Sequence, residues 1–241
     1  ICAPLMIRNM NFGILVVRKK MNGSVFSDKD FHYIVSLTKR ASLNLENKVL
    51  YESLYSSVVD TLKSLVASVQ VRDHYTEEHS TRVMSLALRI GEKAGCSEEE
   101  LECLKISAML HDVGKIAIPD SILLKPDRLT FEEFTVIKTH PLIGENILKP
   151  ISLFDRERKI IQHHHERWDG KGYPGGLSGK DIPFLSRILA VADSFDAMTN
   201  NRPYRNALSP EIALEELRKN RYTQFDGDVV DLYLPLFEKG N

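Results

Sequence analysis

Five histidines and two aspartates have the types and placement to bind metal ions: His79, His111, Asp112, His140, His164, His165 and Asp193. Each falls near the end of an expected helix or on its inward stripe. A single histidine in such a place is most often a satisfied core or surface residue. The joint pattern weighs more. His111 and Asp112 close an apolar helix, where a buried carboxylate is costly without a cation or strong donors. His164, His165 and Glu166 gather three ionisable groups at another helix end. Asp193 lies within the apolar run from Ile188 to Phe195, where no sequence neighbour neutralises it. One buried carboxylate can pair with an arginine, but two converging with several imidazoles suit metals better. Mixed imidazole and carboxylate donors favour Fe, Mn, Zn, Ni or Co over Ca or Mg, and the absence of cysteine from the set disfavours a structural zinc. Seven ligands are too many for one ion. A carboxylate such as Asp112 can bridge two ions about 3.5–4 Å apart, the spacing used in two-metal hydrolysis.

The elements that must position these residues are almost all helices. Val83, Leu86, Ala87 and Ile90 form one apolar face, and Gly95 is placed to end that helix. Ser97 and Glu100 form a capping box that opens a second helix carrying Leu101, Leu104, Ala108 and Met109 inward, with Gly114 expected to end it. Thr130 to Glu133 starts another helix, and Pro141 and Pro150 punctuate the stretch after it. Residues 155–166 are helical in pattern, and residues 168–183 form a loop with five glycines. Ile182–Met198 and Ser209–Lys219 read as two more helices, the second with Ser at the N-cap and Pro at the first helical position.

Ahead of this bundle the pattern changes. Residues 1 to about 26 read as strands, with Phe12 to Arg18 β-rich and Asn22-Gly23 as a turn. Two or three strands cannot bury an apolar face alone, so this segment reads as the tail of a larger upstream domain. No Gly or Pro occurs from Ser24 to Ile90, and Ser27 and Asp30 resemble a capping box. A long helix comes next, expected to stop near Arg72-Asp73. Leu54, Val58, Thr61, Leu65 and Ser68/Val69 recur at spacings of four and three, the rhythm of a coiled-coil seam. Docking of that stripe on its own domain is one reading; a dimeric linker helix is the better one. The boundaries expected are 1–43, 44–72 and 73–241.

Composition excludes several classes. The 241 residues carry 32 basic and 33 acidic side chains, a net charge of −1, which argues against a nucleic-acid polymer as partner. The longest apolar run, Phe12 to Val17, is too short to span a bilayer. Cys2, Cys96 and Cys103 form no C-x-x-C pair and read as reduced thiols in a cytoplasmic protein. The chain does not begin with Met and looks like a fragment.

Four blocks together resemble the HD-GYP family of bacterial cyclic di-GMP phosphodiesterases, a branch of the HD metal-dependent phosphohydrolases. They are His111-Asp112-Val-Gly-Lys115, His140-Pro141, His164 to Pro174 with Gly172-Tyr173-Pro174, and Asp193-Ser-Phe-Asp196 followed by Arg202-Pro-Tyr-Arg205. The resemblance covers roughly residues 70–235 in both order and spacing. The N-terminal strands, and Asn44-Leu-Glu-Asn47 leading into the helix, resemble the end of a GAF sensory domain, which the resemblance places at residues 1–43.

The resemblance implies a mostly α fold, an HD-type helical bundle. It also implies that the seven residues are metal ligands for two ions, Fe or Mn first, while His163 is a bystander. Lys115 falls on a lysine that contacts the scissile phosphate, and Arg202 and Arg205 on positions that contact the ligand's phosphates. By the same resemblance, Tyr173 would shape the guanine-side wall in a loop that would attract GGDEF-domain partners. A metal-bridging hydroxide, helped by Lys115 and Asp112, would open cyclic di-GMP to linear pGpG, with GMP as the product of a second cut. Two alternatives stay open: an HD phosphohydrolase for another nucleotide, and a degenerate receptor without turnover. Some relatives hold a third ion with a Glu four residues before the first ligand histidine. Tyr75 stands there in this chain, and Glu77 and Glu78 point to other sides of the helix, so a dinuclear centre is expected.

Overall fold

The computed structural model describes residues 1–8, 10–21, 23–72, 76–201 and 206–235. The chain divides into two compact units, Ile1–Asp60 and Thr61–Asn241. In the first, strand β1 (Cys2–Ile7) pairs antiparallel with β2 (Met10–Val16), from Cys2 opposite Val16 to Ile7 opposite Met10. The hairpin turns at Arg8, whose φ is 47°. The expected turn at Asn22-Gly23 involves Gly23 at φ 71°, donating its N–H to the Lys20 carbonyl at 3.0 Å, but no third strand follows among the described residues. Asn22 itself lies outside them. The Met6 amide donates to Ser42 Oγ at 2.9 Å, so this hairpin is tied to a helix of the same unit.

That helix is α1 (Asp28–Arg72), 45 residues long and ending at the expected place. Its start is set by the expected box: the Ser27 amide donates to Asp30 Oδ2 at 2.7 Å, and the Asp30 amide donates back to Ser27 Oγ at 3.4 Å. The buried stripe of α1 is Val59, Leu62 and Val66. It lies one position from Val58 and Leu65, which are half-exposed, while Leu54 is 58% exposed.

The second unit is helical: α2 (Thr76–Lys93), α3 (Glu98–Leu110), α4 (Asp120–Leu123), α5 (Phe131–Ile137), α6 (His140–Leu148), α7 (Asp155–Gln162), α8 (Phe184–Thr199), α9 (Pro210–Lys219) and α10 (Gly227–Tyr233). Its core joins Val83, Ala87 and Ile90 of α2 to Leu104 and Ala108 of α3. Ile188, Leu189 and Val191 of α8, Leu217 of α9, and Val230 and Tyr233 of α10 complete it. Ala87, Leu104, Ile188 and Leu217 have no exposed surface. These contacts fix α2, α3 and α8 relative to one another, which is what the site requires. Ser97 with Glu100 and Thr130 with Glu133 form the expected capping boxes on α3 and α5. Ser209 caps α9, its Oγ accepting from the Ile212 amide at 3.4 Å. Gly95 ends α2 at φ 76°, and the Cys96 amide returns to the Gly91 carbonyl at 3.0 Å.

Two expectations change, and two short helices are added. Gly114 does not end α3, which closes at Leu110; it sits inside a 3-10 turn, Val113–Ala117. Its role is close approach, because a Cβ there would stand 2.0 Å from the His140 carbonyl oxygen. Glycine thus lets the Asp112–Lys115 segment lie against the start of α6. The helix expected over 155–166 stops at Gln162, and residues 163–165 form a turn. The short helices α4 and α10 lack the periodic length that marks a helix in sequence; α10 starts where Asp226 Oδ1 accepts from the Asp228 amide at 3.0 Å. Among the described residues, no helix is long and apolar enough to cross a membrane.

Candidate metal centre

All seven expected ligand residues come together in the second unit. His79 stands in the first turn of α2, His111 and Asp112 follow α3, and His140 opens α6. His164 and His165 follow α7, and Asp193 lies within α8. His79, His111, His140 and His164 are 2%, 1%, 1% and 1% exposed, so donors this polar need partners.

The ligand atoms form two groups. His79, His111 and Asp193 make one, and His140, His164 and His165 the other, each with its atoms within 4.8 Å of one another. In the first, His79 Nε2 lies 3.3 Å from Asp193 Oδ1, and His111 Nε2 4.0 Å from the same oxygen. In the second, His140 Nε2 and His164 Nε2 are 3.4 Å apart. Asp112 spans the two. Its Oδ1 is 3.4 Å from His140 Nε2, and its Oδ2 is 3.4 Å from His111 Nε2 and 4.0 Å from His79 Nε2. This is the donor arrangement of a pair of cations sharing one carboxylate.

Helix ends explain how the rings are aimed. The last carbonyls of a helix have no partner within it. His111, His140 and His164 each bring Nδ1 to the carbonyl three residues earlier: Ala108 at 2.8 Å, Ile137 at 2.8 Å and Ile161 at 2.6 Å. Each of these carbonyls belongs to α3, α5 or α7. A proton held on Nδ1 leaves Nε2 as the donor to an ion, and turns it toward the centre.

Electrostatics suits the same state. Burial opposes the charge on Asp112, yet Lys115 and the rings of His111 and His140 hold its carboxyl well below the usual carboxylate range. Asp193 is likewise held low against its burial, by His79, His111 and His165. Burial pushes His140 down to about 3, His165 to about 4, and His164 well below the ordinary imidazole value. His79 is the exception: against its burial, Asp193 and Asp196 raise it to about 9. Ionised carboxylates and neutral imidazoles are what a transition-metal ion requires.

Around the ligands stand the other expected residues. Lys115 Nζ is 2.7 Å from Asp112 Oδ2. The Tyr173 ring lies tilted over His165, centroids 4.9 Å apart, and its burial raises the phenol's pKa. Lys138 Nζ is 5.5 Å from the Tyr173 ring centre. His163 stays outside both ligand groups, with Nδ1 3.4 Å from Glu166 Oε1. The Glu78 side chain is 91% exposed and pairs with Arg82 at 3.2 Å. Tyr75, Arg202 and Arg205 lie outside the described residues.

Two carboxylates escaped the sequence reading. Asp196 receives His79 Nδ1 at 2.6 Å. Its signal was a second acid one helical turn after Asp193 in an apolar helix. Glu166, noted only as part of a motif, anchors the glycine loop. Its Oε1 accepts from the Gly175 amide at 2.6 Å and its Oε2 from the Leu177 amide at 3.1 Å. The Tyr173 amide donates to the His165 carbonyl at 3.2 Å. Gly172 is needed for packing as well as for a turn: a Cβ there would meet the Arg167 nitrogen at 2.3 Å and the Glu166 Cα at 2.5 Å.

Residues 61–229 match the family described as HD domain. The chain is 40% identical over 205 residues to the cyclic di-GMP phosphodiesterase response regulator RpfG of Xanthomonas campestris, covering 81% of this chain and 53% of that protein. It is 40% identical over 237 residues to a cyclic di-GMP phosphodiesterase of Thermotoga maritima, covering 95% of this chain and 63% of that one. The chain thus spans between half and two thirds of the length of these curated relatives. In fold it is similar to the crystal structure of a cyclic GMP-AMP specific phosphodiesterase of Vibrio cholerae, with a TM-score of 0.60 at 21% identity, covering 76% of this chain and 49% of that chain.

The Glu166 anchor makes a direct prediction. Each hydrogen bond to a charged acceptor is worth about 1.5–3 kcal/mol when its partner would otherwise be left unsatisfied. In Glu166→Ala the Gly175 and Leu177 amides should exchange with solvent roughly ten- to a hundredfold faster, while α3 and α8 keep their protection. Unchanged exchange at these two amides would remove Glu166 from the account.

Proposed function

The chain belongs to the HD-domain family, in the HD-GYP branch that its motifs resemble, and on that premise we propose that it is a metal-dependent phosphodiesterase opening cyclic di-GMP. The observation that carries this reading is Asp112, with one oxygen toward each of two ligand groups. His79, His111 and Asp193 would hold one ion and His140, His164 and His165 the other, with Asp112 shared. Imidazole and carboxylate donors without thiolate fit Fe or Mn, with Zn, Ni or Co as substitutes. When bound, such ions supply Lewis acidity toward water and toward the phosphodiester.

The chain's own residues do the rest. Lys115, an ammonium at the edge of the ligand cluster, is placed to meet charge developing on the phosphoryl oxygens. The Tyr173 face beside His165 offers a base a surface on which to stack, and Lys138 next to it offers a cation. Arg202 and Arg205 are assigned to the ligand's phosphates by the resemblance alone. Hydrolysis breaks the bond from phosphorus to the 3′ oxygen, leaving a 5′-phosphate and a 3′-hydroxyl on linear pGpG, from which a second cut gives GMP. Upstream, residues 1–43 are the end of a GAF-like domain and 44–72 a linker to the catalytic domain 73–241, all in the cytoplasm. A receptor without turnover is less well supported, because all seven donors are present and converge.

The test is turnover of cyclic di-GMP and of cyclic GMP-AMP with added Mn²⁺ or Fe²⁺. His111→Ala and Asp112→Ala should each fall to background while helix content is kept. Cleavage that survives both changes, or that persists after chelator and dialysis, contradicts the metal mechanism.

The linker also predicts an assembly. Tyr51 and Leu54, in register with Val58 and Leu65, are 56% and 58% exposed, leaving an apolar seam on α1 for a second copy. Replacing Val58 and Leu65 by Lys should turn a dimer into a monomer by light scattering. An unmodified chain that is already monomeric at high concentration rules the seam out.

A further inference from the structure

His79 is held differently from the histidines that follow helix ends. His111, His140 and His164 use backbone carbonyls at the ends of α3, α5 and α7. His79 stands in the first turn of α2, where the groups without helical partners are amides rather than carbonyls. A carboxylate takes the carbonyl's place: Asp196 Oδ2, 2.6 Å from His79 Nδ1.

Asp196 is itself fixed from both helices. Arg82, three residues after His79 on α2, grips it with a fork, Nε to Oδ1 at 2.6 Å and Nη2 to Oδ2 at 3.1 Å. Asn200, just past the end of α8, adds its side-chain amide to Oδ1 at 3.0 Å. The residue is 1% exposed, so each of these partners offsets the cost of burying its charge. Asp193 and Asp196 are three apart on α8 and reach the two ring nitrogens of one imidazole, Asp193 Oδ1 at 3.3 Å from Nε2. The rotation of the His79 ring is thereby set on both sides.

We propose that Asp196, locked by Arg82, is a positioning residue that sets the affinity of the His79, His111 and Asp193 group for its ion, independently of the His140, His164 and His165 group. The inference rests on the reading of these groups as a metal centre. A carboxylate behind a ligating imidazole fixes its tautomer and raises its basicity, and its removal typically weakens metal binding about 10–100-fold. In the second group, the Nδ1 partners of His140 and His164 among the described residues are backbone carbonyls, Ile137 and Ile161. The two ions should therefore respond unequally to one substitution.

The experiment is titration of the chelator-treated 241-residue chain with Mn²⁺, read as ions bound per chain and the affinity of each, for the unmodified protein, Asp196→Asn and Arg82→Gln. The unmodified chain should bind two ions. Both variants should keep one ion at unchanged affinity and bind the other roughly 10–100-fold more weakly, with turnover recovering as Mn²⁺ is raised and KM for the dinucleotide unchanged. Two ions at unmodified affinity in both variants would overturn the inference. So would equal weakening of both ions, or a loss of helix content in step with the loss of metal, either of which marks a structural role. An unmodified chain that binds no ion would instead refute the metal-centre reading itself.

Discussion

Two carboxylates, Asp112 and Asp193, stand largely shielded from solvent among imidazoles, their side chains 12% and 13% exposed, and much of the second unit's architecture serves to keep them there. Moving an ionised carboxylate from water into a protein interior costs several kcal/mol even after relaxation. Partial compensation comes from Lys115, 2.7 Å from Asp112, and from His79, 3.3 Å from Asp193. A bound cation pair would complete it. The apolar contacts among α2, α3 and α8 supply the rigidity that brings like charges close without letting them part.

The same economy recurs in how the ligands are aimed. A helix end leaves carbonyls without partners, and a histidine just beyond it satisfies one of them while presenting its other nitrogen outward. Three of the candidate ligands are held this way, so backbone geometry does the orienting. Where a ligand falls at a helix start that device is absent, and side chains must replace it. The Asp196, Arg82 and Asn200 cluster is the replacement.

The convergence of the seven candidate residues was legible from sequence because most are rare types at helix ends and Asp193 is an acid in an apolar helix, so a bland role is hard to give to Asp112 or Asp193. The helices α2, α3 and α9 were legible because capping boxes, Gly95 and the Ser209-Pro210 start are local signals. What was not legible depends on distance in space. Gly114 reads as a helix stop until the His140 carbonyl is seen against it. Asp196 and Arg82 lie 114 positions apart, and no local pattern joins them. The short α10 has too few residues to show a period. On α1 the seam and the buried stripe differ by one position, a difference that periodicity alone does not resolve.

The central claim is a dinuclear centre with Asp112 shared, and anomalous scattering from crystals at full Mn²⁺ or Fe²⁺ loading measures it directly. The account predicts two ions, one among His79, His111 and Asp193 and the other among His140, His164 and His165. Each should have an Asp112 oxygen within about 2.0–2.2 Å. A single ion, or a third ordered ion with an oxygen of Tyr75 or Glu78 at that distance, would contradict it.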